Sequence, residues 1–207
     1  MLTRRLTAIT PVGLFIFIAP LLGQSRQEQT VPAQPAPPSS RLVAYRGSNL
    51  EISYPDNWTV TKTGTAVTIA PEEGIVSGAL AYGMLADIFE PRNPEAGGWT
   101  AAKGEQLLSD ATDKLIQDLQ RTNPNLRVTR KFPKRVGGEP ALEVEMTSES
   151  PVGWREVNRL TTVMRAGDRL HYFLAVAPQS EFGRYSSIFE KMILSIRFYE
   201  QGEFRDR

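Results

Sequence analysis

Few residues in this sequence have chemistry to offer, and the first is a single histidine, His171, in a chain of 207 residues without cysteine. Nucleophile–base pairs and most transition-metal sites need an imidazole or a thiolate beside another ligand, which a lone imidazole without thiols does not supply. His171 lies in the apolar run "LHYFLAVA" on the same strand face as Phe173 and Ala175, which reads as a packed histidine satisfied by a neighbour. Three carboxylate pairs are available for acid–base work: Glu72 with Glu73, Glu143 with Glu145, and Glu149 with Glu156. Glu143 and Glu145 alternate with Leu142, Val144 and Met146, so they are expected on a wet strand face, while Glu72 and Glu73 fall in a Pro/Gly turn. No catalytic, cofactor-binding or metal-binding residue is assigned, and no cofactor is expected.

Other motifs read as structure. The glycine pairs in "VGGEP" and "EAGGW" do not lead from a strand into a helix with a Lys-Ser or Lys-Thr pair, so they are turns and not phosphate cradles. The basic run "RVTRKFPKR", Arg127 to Arg135, fits an edge strand whose cations discourage sheet-to-sheet pairing. "NWT" at Asn57 to Thr59 matches a glycosylation acceptor, a short pattern common by chance, and its Trp reads as strand. Trp99 and Trp154, both beside glycine-containing turns, are the aromatic residues least committed to a core and so the candidates for facing a ligand or partner, with packing at a core edge the stronger reading of both.

The elements that must position these residues follow from periodicity. "RLVAYRGSNLEISYP" predicts a hairpin turning at Gly47-Ser48-Asn49, interrupted by Pro55, with Asp56-Asn57 turning the chain and Trp58 returning to the core. Strands are predicted over Ala66–Pro71 and Ala79–Pro91, the latter with Leu80, Tyr82, Met84, Ala86 and Ile88 on one face. Leu108, Ala111, Leu115 and Leu119 recur at helical steps over Glu105–Gln120, stopped by "TNPN". Strands up to Val136, over "EPALEVEMTSES", over "WREVNRLTTVMRA" and over "RLHYFLAVAP" follow, joined by turns at Gly137-Gly138, Ser150–Gly153 and Gly167-Asp168. The last, apolar on both faces, should be central. A closing helix over "SEFGRYSSIFEKMILSIRF" has Ser180 as N-cap, Glu181 in its first turn, and Phe182, Tyr185, Phe189, Met192 and Ile196 at helical steps. Strands in succession with two helices describe an α+β fold, an antiparallel sheet flanked by helices.

The amino terminus reads differently. Arg4 and Arg5 precede the apolar run Val12 to Leu22, too short for the roughly 18 to 20 residues of a spanning helix, and Gly23-Gln24-Ser25 fits a cleavage site. Residues 1–25 are therefore expected to be a signal peptide and 26–40, rich in proline, a disordered linker, followed by a domain over 41–199 and a tail over 200–207. Losing 1–25 removes two of the 24 basic residues and none of the 23 acidic ones, leaving a net charge of −1. A near-neutral domain lacks the footprint of a nucleic-acid binder, and the missing cysteines exclude a disulfide scaffold. Export to the periplasm or beyond, with no stable membrane span, is the expectation.

"LEISYPDNWTV", "ATDKLIQDLQRTNPNLRV" and "YFLAVAPQSEFGRYSSIFEKMILSIRF" together resemble the PsbP/Mog-like superfamily from Arg41 to about Phe198, and look closest to the domains of that type in exported bacterial proteins, some at the C-terminal end of zinc metallopeptidases. The resemblance implies an α-β-α sandwich and a domain that acts by docking. Photosynthetic members support the oxygen-evolving photosystem and nuclear members bind a small GTPase; no residue match to those interaction sites is found, and the peptidases' His-Glu-x-x-His is absent from this chain. The leading functional expectation is a non-catalytic envelope domain docking to a protein, such as a peptidase or a secretion component. A carrier of a small apolar ligand or lipid, with "GIVSGALAYG" lining its mouth, is the alternative. A carboxylate hydrolase using Glu149 and Glu156 comes third.

Overall fold

Alternating apolar residues organise the chain into twelve strands and two α-helices among the residues that the computed structural model describes, which are 34–91, 101–150, 153–165 and 169–199. The expected signal segment, the tail, Trp99 and the turn at Gly167-Asp168 lie outside these residues. The strands are β1 (Leu42–Arg46), β2 (Leu50–Pro55), β3 (Thr59–Thr63), β4 (Ala66–Ala70), β5 (Ile75–Val76), β6 (Ala79–Leu80), β7 (Gly83–Phe89), β8 (Arg127–Val136), β9 (Glu139–Glu149), β10 (Arg155–Arg165), β11 (Arg169–Pro178) and β12 (Arg197–Phe198). The helices are α1 (Ala101–Thr122) and α2 (Phe182–Leu194).

Seven strands form one antiparallel sheet in the order β3-β4-β7-β11-β10-β9-β8. β11 is its middle strand, as its two apolar faces require, and β8 with its basic run is an edge. On one face α1 places Leu108, Ala111, Leu115 and Ile116 against Val144, Met146, Leu160 and Leu170. On the other, Tyr185, Phe189 and Met192 of α2 join Ile69, Met84, Val163 and Phe173. The result is an α+β fold, an antiparallel sheet with a helix on each face.

Several local expectations need correction. The predicted hairpin forms, with Gly47 N donating to Leu50 O, but it leaves the main sheet to build a second one, β1-β2-β12, over the α2 face. The long strand over Ala79–Pro91 is broken: β6 pairs with β5, and the main-sheet strand begins at Gly83. Gly83 has φ +139°, and a Cβ there would lie 2.4 Å from the Ile69 carbonyl oxygen, so only glycine lets β7 close on β4. Tyr82, Met84 and Ala86 are nevertheless buried as the alternation predicts.

α1 starts four residues before the predicted Glu105, and α2 starts at Phe182, so Ser180 is not its N-cap. Glu181 holds the N-cap position without capping, because its carboxylate is engaged elsewhere: Tyr82 Oη donates to Oε1 at 2.8 Å, and Arg184 and Gln34 donate to Oε2. Ile196 is buried but lies beyond the helix. Ser195 accepts the Ser53 amide at 2.8 Å and donates to Met192 O at 2.7 Å, which turns the chain into β12 beside β2.

Part of the segment read as a free linker, 26–40, is held to the domain. Pro35 is buried, Asn57 Nδ2 donates to Pro37 O at 2.9 Å, and the Ser39 amide donates to Asn57 Oδ1 at 2.8 Å. Asn57 thus acts as a clasp, and Trp58 beside it is buried against Tyr185 and Phe189.

Candidate functional site

Two of the three carboxylate pairs are held by cations or face apart, and the third is exposed. Glu143, expected on a wet face, is 2% exposed. Lys134 Nζ donates to Glu143 Oε2 and to Glu190 Oε2, each at 2.6 Å, and the Arg159 guanidinium lies 3.2 Å from Glu143 Oε1. Arg159 also lies 3.7 Å from Glu145, which pairs with Arg130 at 2.9 Å. The face is covered because α2 supplies Glu190 above Lys134 and packs Phe182 on the Arg159 guanidinium, 5.1 Å from the ring centre. A charge so enclosed is stabilised by its partners, since an unpaired carboxylate would lose its hydration there without compensation.

Glu149 and Glu156 cannot act as a pair, since Glu149 is cross-strand from Arg155 and Glu156 from Ser148, which puts the two carboxylates on opposite sheet faces. Glu72 and Glu73 are exposed in a short 3-10 helix, Glu72–Gly74. Glu156 is buried, accepts a hydrogen bond from Ser148 Oγ at 3.2 Å, and leaves Oε1 unpaired among the described residues. Burial pushes its carboxyl up, against smaller opposing effects of the Ser150 and Ser148 hydroxyls. A carboxylate raised on folding costs stability as pH rises from its unfolded value through its folded one. Glu156→Gln should therefore be more stable than the parent at mildly alkaline pH, with the gap closing in acid. Urea unfolding at both pH values checks this; a gap independent of pH would contradict it.

His171 is packed, as expected, but not satisfied. It is 5% exposed, its ring stands edge-on to Phe198 at 5.5 Å, and Nδ1 has no hydrogen-bond partner among the described residues. Its cross-strand neighbours are Val163 and Ile88, both apolar, so no polar partner stands beside it in the sheet. Burial, and secondarily the charges of Arg165 and Arg169, push its pKa down to about 4. It is therefore a neutral imidazole at physiological pH. Among the described residues no group of three or more His, Cys, Asp or Glu could hold a metal ion, and no helix is long and apolar enough to cross a membrane.

Two recesses stand out among the described residues. One is a cleft of about 150 Å³ between the β1–β2 and β3–β4 turns, with His171 in its wall. The other is an open recess made by Tyr82, Gly153–Arg155 and Pro178–Glu181. There Trp154, half-buried, stands edge-on to Tyr82 at 6.4 Å, and Arg155 and Glu181 add charges of both signs. The "GIVSGALAYG" segment, expected at a ligand mouth, contributes only Tyr82 here; Gly74–Leu80 line neither recess. Sequence reading singled out Trp154 but missed Tyr82 and Glu181 as its companions, since their hydrogen bond joins positions 99 residues apart.

No protein-family model matches the chain, and no curated protein matches it. Solved structures do. LpqN of Mycobacterium tuberculosis, involved in cell envelope biogenesis, matches with a TM-score of 0.50 at 13% identity, over 77% of this chain and 91% of its own. The Ran-binding protein Mog1p of Saccharomyces cerevisiae matches with a TM-score of 0.50 at 11% identity, over 77% and 95%. Cyanobacterial PsbP from Synechocystis sp. PCC 6803 aligns at 0.49 and 14% identity, over 76% and 92%. At such identities the likeness concerns the fold, which is the PsbP/Mog-like one.

Proposed function

We propose that this chain is a non-catalytic accessory domain of the cell envelope that docks to a protein partner, such as a peptidase or a secretion component. The observation that carries the reading is the disposition of the reactive groups: Glu143 and Glu145 are held by cations, Glu149 and Glu156 face apart, and His171 is buried and neutral. A signal-like amino terminus supports the location. The Ran-binding role of Mog1p and the envelope role of LpqN belong to those proteins; the first is consistent with a fold used for association and the second with an envelope location.

The recess around Trp154 is the docking surface in this reading. A half-buried Trp backed by a Tyr, beside an Arg and a carboxylate, has the composition that dominates binding energy at protein interfaces. Affinity capture from an envelope fraction, run in parallel with the parent and Trp154→Ala, tests this. Truncating a hot-spot Trp costs about 2 kcal/mol, roughly 30-fold in affinity. The parent should retain a protein that the variant, folded at the assay temperature though with a lower unfolding midpoint from the lost Tyr82 contact, loses to that extent. Recovery of no protein, or equal recovery by both chains, overturns the reading.

A further inference from the structure

The cleft beside His171 carries chemistry that the docking reading does not use. Its floor comes from Val67, Ala86, Ile88 and Ile52, and its rim from two turns, Gly47–Asn49 and Gly64-Thr65. Lys62 stands at the mouth. It is cross-strand from Val67, which is cross-strand from Ala86 and in turn Phe173, so its stem shares the face that bears His171. Among the described residues Lys62 is exposed and forms no ion pair. The bordering acid, Asp87, is engaged elsewhere: its oxygens accept from the Ile88 amide at 2.8 Å and from Tyr172 Oη at 3.4 Å.

The cleft therefore joins an apolar floor to an unneutralised cation and a buried imidazole without a partner. A drug-sized ligand needs roughly 300–1,000 Å³, so about 150 Å³ admits only a compact molecule. A cationic ligand would meet Lys62, which has no ion pair among the described residues, whereas Arg165 and Arg169 near His171 are paired with Glu139 and Glu90. A neutral one would leave Lys62 without a counterion. The geometry points to a binding site for a small organic carboxylate, its anionic head at Lys62 and its compact apolar body over Val67, Ala86 and Ile88 toward His171.

His171, the only histidine in the chain, supplies an unambiguous reporter, because its ring protons give the only imidazole signals in a proton NMR spectrum. The full chain is titrated at neutral pH with benzoate, benzyl alcohol and benzylamine, which share a ring and differ in the charge of the head. Benzoate should shift the His171 signals saturably in the millimolar range and move the imidazole titration above about 4. The alcohol and the amine should bind at least tenfold more weakly, a difference of about 1.4 kcal/mol. Lys62→Gln should weaken benzoate by up to about fivefold, as expected for an exposed ion pair, and Val67→Phe, which fills the floor, should abolish the shift while Trp154→Ala leaves it unchanged. The assignment is overturned if benzoate gives no saturable shift, if the three heads respond alike, or if Lys62→Gln has no effect. No partner protein is present, so such a failure is separable from failure of the docking reading.

Discussion

Replacing Glu143 with leucine should destabilise the domain by about 3 kcal/mol, the lower end of the roughly 3–5 kcal/mol seen when one member of a buried ion pair is removed. Glu143 is the enclosed member of its network, while Lys134 and Arg159 beside it are only partly exposed. The change strands these cations, but not completely: Lys134 keeps Glu190 at 2.6 Å and Arg159 keeps a 3.7 Å approach to Glu145, which places the cost at the low end. A second change, Lys134→Met in the Glu143→Leu background, should recover part of the loss by removing the stranded charge. Urea denaturation measures both. A loss under about 1 kcal/mol, the value of exposed pairs, would mean that Glu143 is solvated as its strand alternation alone implies.

That contrast shows where the sequence stops being informative. Alternation assigned Glu143 to the face opposite Val144, which is correct; what it lacked was the element lying on that face. Only tertiary packing brings Glu190 and Phe182 of α2 over a strand some forty residues earlier. The same holds for β1 and β2, whose turn residues were legible while their departure into a second sheet was not, because the β12 partner is two residues long. Gly83 had a visible signal, an isolated glycine inside a strand pattern, which marks a kink or a close backbone approach. Features local in sequence and periodic, such as the central β11, the edge β8 and the body of α1, were readable; the Tyr82–Glu181 and Asn57–Pro37 bonds join distant segments through side chains without period.

His171 should make folding stability depend on pH in a way that its removal abolishes. The folded state holds the imidazole neutral down to about pH 4, whereas the unfolded chain titrates near the ordinary 6.5. The unfolded state therefore binds the extra proton first, so stability rises with pH across this window: it is fully present above about 6.5, declines as pH falls, and its loss is complete below about 4. The interval corresponds to about 3 kcal/mol. Other groups titrate in the same range, so the informative quantity is the difference between the parent and His171→Gln, whose side chain does not ionise. Unfolding free energies at several pH values should show that difference changing by about 3 kcal/mol between neutral and pH 4. A constant difference would mean that the buried imidazole finds a proton-accepting partner in solution, which apolar Val163, Ile88 and Phe198 do not provide. Because Glu156 changes stability with pH in the opposite direction, the two contributions offset each other in part in the parent, so each single variant should have a pH profile displaced from the parent's in the opposite sense to the other's; additivity of the two displacements in a chain carrying both His171→Gln and Glu156→Gln tests that the two buried groups act independently from opposite faces of the sheet.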